Sequence, residues 1–135
     1  MKTQILLSIV TFVIFSGCST VLAERPTEQE LKFVQILNAE RIAKGFGIVE
    51  LDLELSAGCR RWSKRLRAGH WGHARNFDGG VNENIARGSA RAEDAFRQWK
   101  FSRKGHYGNM MNPRITKIGV ACEGTYWTFR GGVKK

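Results

Sequence analysis

The spacing of the apolar residues changes once along this chain, and that change limits the folds open to it. From Leu31 to Trp99 most of them recur three or four residues apart, as in helices that bury one face; from Ile118 onward they alternate, as in strands. Thr27-Glu28-Gln29-Glu30 follows Pro26 and can form a capping box, with Thr27 as cap and Glu30 reaching back to it, opening a helix that ends near Lys44 and Gly45. Phe33, Ile36 and Leu37 make one stripe of that helix. Leu31, Val34, Asn38 and Arg41 make an adjoining one, where Asn38 and Arg41 are placed to brace the fold rather than to perform chemistry.

Leu51, Leu53 and Leu55 alternate briefly with acids, after which Leu55, Cys59, Trp62 and Leu66 define a second helix ending near Gly69. Ala92, Ala95, Phe96 and Trp99 mark a third, with Glu93 and Asp94 in its first turn, where the helix dipole favours them. Residues 101–113 read as a loop with one helical turn from Tyr107 to Asn112. Ile118, Val120 and Cys122 alternate as a strand, and Glu123-Gly124 can turn the chain into a second strand over residues 126–129. Helices first and a hairpin last predict an α+β or layered α/β/α domain, with a basic tail after Gly131 that frays.

The first 23 residues read as an export signal, with Lys2 ahead of an apolar run from Ile5 to Phe15 that is too short to span a bilayer, which needs about 20 apolar residues. Two cleavage sites compete. Val21-Leu22-Ala23 suits an ordinary signal peptidase, and Phe15-Ser16-Gly17-Cys18 resembles a bacterial lipobox that would leave Cys18 lipidated. Either product is secreted or held in the cell envelope as a periplasmic or outer-membrane lipoprotein, and residues 24–135 form one small domain. Cys59 and Cys122 are then candidates for one disulfide, whose loop closure would contribute about 4 kcal/mol in the chain-entropy account.

The formal charge of +10 predicts attraction to an anionic membrane surface or envelope polymer, and Arg60, Arg61, Lys64, Arg65 and Arg67 on the second helix make the densest positive patch. No zinc-finger spacing, RNP-type aromatic motif or arginine repeat is present, so no nucleic-acid partner is expected. Nothing in the sequence calls for an assembly, and a monomer is expected.

Four polar landmarks could carry chemistry: His70, His73, Glu83 and His106. Two histidines and a carboxylate can hold zinc or another divalent metal with one position open for water, although there is no H-E-x-x-H motif. There is no G-x-S-x-G for a serine hydrolase. Cys59 and Cys122 lie on apolar stripes, where burial or pairing explains them better than nucleophilic chemistry. His106 as acid or base, oriented by Glu83, is a further option.

Several pieces in order resemble one family. Asn38-Ala39-Glu40-Arg41 resembles an N-x-x-R motif, and Asn82-Glu83-Asn84-Ile85-Ala86 resembles G-E-N-[ILV]-A. Trp99 through Gly105-His106-Tyr107-Gly108-Asn109-Met110-Met111 resembles W-x-x-S-x-G-H-x-x-N-[IM]-[LM], and Ile118-Gly119-Val120 and Tyr126-Trp127-Thr128 resemble closing strands. These are motifs of the CAP superfamily, the SCP-domain proteins, and the pattern is that of its bacterial branch. The resemblance implies a single α-β-α sandwich with a reduced central antiparallel sheet and a cleft of two histidines and two glutamates, which holds metal in some members.

By motif position Glu83 and His106 belong to that cleft. His73 fits the remaining histidine better than His70, which is the reserve. Asn84, Trp99 and Asn109 take structural positions with Asn38 and Arg41. The chain departs from the pattern at Leu37, at Asn82, and at Ser102, which stands where the second glutamate would fall. The leading expectation is an exported, non-catalytic domain that binds a small ligand, lipid or divalent metal through His73, Glu83 and His106. One alternative is a metal-assisted hydrolase, with His73 and His106 on zinc and Glu83 as base; another is an adhesion module acting through the basic second helix.

Overall fold

The computed structural model describes residues 24–135; the leader, its cleavage sites and Cys18 lie outside the described residues. The chain runs α1 (Glu28–Ala43), β1 (Glu50–Leu51), α2 (Leu53–Arg67), β2 (Gly80–Arg87), α3 (Ala92–Lys100), α4 (His106–Met110), β3 (Lys117–Glu123) and β4 (Tyr126–Gly132). The strands form one sheet in the order β1-β3-β4-β2. β3 and β2 flank β4 antiparallel, while β1 pairs parallel with β3. The sheet is therefore mixed, where an antiparallel one was expected, and β4 extends to Gly132.

α1 starts as its sequence dictates. Thr27 Oγ1 accepts from Glu30 N, and Glu30 Oε2 accepts from Thr27 N. α2 begins at Leu53 rather than continuing the leucine alternation, because the Asp52 carboxylate caps it by accepting from Leu55 N. The β3–β4 turn falls on Gly124-Thr125, one residue later than expected, since Glu123 pairs with Tyr126 and Gly124 takes the left-handed φ of 62° that a tight hairpin favours.

α1 and α3 cover one face of the sheet. Phe33 of α1 is fully buried, with ring centroids 5.5 Å from Trp99, 6.0 Å from Trp127, 6.1 Å from Phe96 and 6.2 Å from Phe129. Pairs of this kind add about 0.5–1.5 kcal/mol each beyond the area they bury. α2 covers the opposite face so closely that a Cβ on Gly119 would lie 2.4 Å from the Leu55 carbonyl carbon. Ser63 Oγ, also on α2, donates to the Ala121 carbonyl and sits 2.8 Å from Thr128 Oγ1.

β1 covers only the start of the outer edge of β3, and side chains satisfy the rest. Ser56 Oγ accepts from Val120 N, and Glu30 Oε1 accepts from Cys122 N. Glu30 is fully buried and also receives Arg60 Nη2 at 2.6 Å. Arg60 is thus not part of the solvated basic face expected on α2. It is only 8 % exposed and reaches over the sheet edge to a carboxylate, which offsets the cost of taking its charge out of water.

The disulfide expected between Cys59 and Cys122 is not formed, and both thiols are free. Strand alternation puts Cys122 on the same face as Ile118 and Val120, toward α1 and α3, whereas Cys59 belongs to α2 on the other face. The sheet separates the two sulfurs. Burial pushes the Cys122 thiol up to about 12, with Glu30 and Glu123 adding to the shift, and burial likewise raises that of Cys59. No helix among the described residues is long and apolar enough to cross a membrane.

Candidate functional site

The polar stretch between the second and third helices contains an edge strand. β2 pairs with β4 along its length, with Glu83 opposite Arg130 and Asn84 opposite Phe129. Val81 to Ile85 lacks the apolar alternation by which a strand is recognised, because its polar side chains are buried against partners supplied by distant segments. Asn82 Oδ1 accepts from Gly131 N, and Asn84, fully buried, donates through Nδ2 to the His106 carbonyl at 2.8 Å.

Glu83 is the centre of the arrangement. Its side chain is fully buried; Oε2 accepts from Arg130 Nε at 2.9 Å, and Oε1 accepts from Ala74 N at 3.0 Å and lies 3.0 Å from His73 Nδ1. An ionised carboxylate only accepts, so Nδ1 of His73 is the donor. On a neutral imidazole Nε2 is then an acceptor, and the His73 side chain is 53 % exposed.

The turn leading into α4 is brought to β2 by the bond from Asn84 to the His106 carbonyl. Gly105 adopts a φ of 83°, and His106 follows it with Nδ1 2.7 Å from Ser102 Oγ. Ser102 Oγ already accepts from Lys104 N, which leaves its own proton available to His106 Nδ1. Burial first, then the nearby His73 and Lys104, hold the imidazole of His106 below its ordinary range. Asn109 Nδ2 donates to Asn84 Oδ1 at 2.8 Å, and Trp99 Nε1 donates to the Ile85 carbonyl at 3.0 Å, so both α4 and α3 are tied to β2.

Asn38 and Arg41 lie away from the histidines. Asn38 makes a two-way bond with the backbone of Val49, donating to O and accepting from N. Arg41, 1 % exposed, spends its guanidinium on the carbonyls of Gly47, Met110, Asn112 and Ile115 and so holds the segment after α4 against α1. His70 is exposed, and the contact made there is its backbone N–H to the Arg65 carbonyl.

A hydrolytic zinc centre does not fit this donor set. Such sites use three protein ligands, and the Glu83 oxygens are already spent on Arg130, Ala74 and His73. Among the described residues no group of three or more His, Cys, Asp or Glu side chains is placed to hold a metal ion. The residue that sequence reasoning missed is Arg130. Its only sequence signal is a cation inside the apolar run of β4, and what it pairs with depends on the β2–β4 register.

The fold and parts of the sequence recur in other proteins. YkwD of Bacillus subtilis is 30 % identical over a 116-residue alignment, and the match covers 73 % of this chain and 45 % of that protein. An extracellular SCP-domain protein of Bacillus anthracis superposes with a TM-score of 0.69 at 18 % identity, over 82 % of this chain and 45 % of that one. This chain therefore spans less than half the length of either. An outer surface protein of Borrelia burgdorferi superposes with a TM-score of 0.66 at 16 % identity, over 84 % of this chain and 100 % of its own. Residues 34–129 match the model of the cysteine-rich secretory protein family, CAP, and the chain belongs to that family.

Proposed function

We propose that this is an exported, non-catalytic CAP domain whose cleft binds a small ligand between His73 and His106. The observation that carries this reading is how Glu83 is held: its side chain is fully withdrawn from water and already accepts from Arg130, a backbone N–H and His73, so it is poorly placed to take a proton from a water. Glu83 instead orients His73, leaving Nε2 as an acceptor. Where Ser102 donates to its Nδ1, a neutral His106 presents Nε2–H as a donor. An acceptor on His73 and a donor on His106 suit a hydroxyl or a protonated carboxyl group on a small molecule or lipid. Export is supported by the leader-like first 23 residues and by the extracellular and outer-surface proteins that share the fold.

Native mass spectrometry with elemental analysis on protein purified from the envelope of its own host tests the proposal. A small-molecule adduct is expected without stoichiometric zinc, and a double variant with His73→Ala and His106→Ala should lose it. An adduct retained in that variant, or none in the parent, removes the reading. Stoichiometric zinc together with peptide or ester hydrolysis would replace it with the hydrolase alternative.

A further inference from the structure

A second recess lies outside the cleft, between α2 and the loop of residues 74–78, with a volume of about 430 Å³, within the size range of small-ligand pockets. Five cationic side chains line it: Arg61, Lys64 and Arg65 from α2, Arg75 from the loop, and Arg130 from β4. The one carboxylate in the lining is Asp78, stretched between Arg61 at 3.4 Å and Arg130 at 3.5 Å. Lys64 leans away toward Glu24 and Glu123 at 3.6 and 4.0 Å. Arg65 and Arg75 form no ion pair among the described residues.

The back of the recess is built, not merely a solvated helix face. Arg130 is 2 % exposed, uses Nε on Glu83, and has an Nη2 with no hydrogen bond among the described residues. Its Nη1 lies where a side chain at position 58 would begin: a Cβ on Gly58 would sit 2.8 Å from it. The glycine thus lets a buried guanidinium reach the recess. Trp62 is pinned by its Nε1 to the Gly72 carbonyl, and the Arg65 guanidinium lies over its ring at 5.4 Å. Cations outnumber carboxylates here by four, converging from three separate segments. Planar guanidinium forks of this kind match the oxygens of phosphate.

From this geometry we infer that the recess is a binding site for a phosphate-bearing ligand, free or as a lipid headgroup, held by Arg61, Arg75 and Arg130. Titration calorimetry with inorganic pyrophosphate, and flotation with phosphatidylcholine vesicles carrying phosphatidic acid, distinguish the two sources. Arg61→Ala and Arg75→Ala, both at exposed positions, should each weaken binding about tenfold, the cost of one charge-assisted hydrogen bond. Arg97→Ala removes the same charge from α3, on the opposite face of the sheet, and should leave binding nearly unchanged. Pyrophosphate binding with that pattern assigns a soluble phosphate ligand; vesicle binding with that pattern and no pyrophosphate binding assigns a headgroup. Equal weakening by all three variants, or no binding in either arm, overturns the inference.

Discussion

Arg130 Nε donates to Glu83 Oε2 at 2.9 Å across the β2–β4 pair, and both side chains are withdrawn from water. The same guanidinium forms the back of the basic recess, so the cleft and the recess share one residue. Desolvating such a pair is expensive, and its integrity depends on both partners being present.

Glu83→Gln should therefore destabilise the domain by about 3–5 kcal/mol, because it leaves the buried Arg130 charge with only the longer, half-exposed contact to Asp78 at 3.5 Å. Urea denaturation checks this. Replacing both residues by apolar ones of similar size should cost less than the single change, and a loss below about 1 kcal/mol for Glu83→Gln would contradict the assignment.

Among the described residues Arg41 has no carboxylate partner and serves four backbone carbonyls instead. Arg41→Ala should lower stability by about 3 kcal/mol or more, since several buried acceptors lose their donor together. Arg41→Lys should recover only part of this, because one ammonium cannot span the fork that a guanidinium covers. Calorimetric melting of the two variants tests the order.

Cys59 and Cys122 should remain reduced in aerated buffer. In a Cys18→Ser background, thiol titration should count two reactive groups after denaturation and react only slowly before it, as fits thiols raised by burial. Adding a reductant should not change the melting temperature; a fall of several degrees would indicate a disulfide.

The depressed His106 imidazole makes stability depend on pH. Its folded-state value lies below the ordinary 6.5, so between the two the unfolded chain binds more protons, and stability falls as pH drops through that window. Above it the contribution is complete, and below the folded value the loss levels off. His106→Gln should flatten this part of the curve in denaturation series between about pH 5 and 7. An NMR titration of His106 with a midpoint above 6.5 would sink the prediction.

The three longer helices were legible because their signals are local. Thr27 and Glu30 are three residues apart, and the stripes through Phe33 and Leu37, Cys59 and Leu66, and Phe96 and Trp99 follow the helical period. β2 was not legible, since Asn82, Glu83 and Asn84 look like loop residues until Gly131, Arg130 and His106 are brought to them. Arg60 was misplaced for the same reason. On a helix wheel it is one more cation, and only the packing of α1 brings Glu30 against it. The pairing expected of the cysteines failed because an even count carries no information about which face of the sheet each one occupies.

The sequence alone determined the order of the three longer helices and the closing hairpin, the start of α1, the family motifs and the basic charge, since these rest on residues within a turn or two of each other or on composition. Only the tertiary structure decided how Glu83 is spent, which nitrogen of His73 is left free, that Arg60 is buried and that Arg130 joins the cleft to the recess. Those outcomes depend on contacts between distant segments, 47 residues apart for Glu83 and Arg130, in which burial forces each charged or polar group to find a partner that no local pattern names.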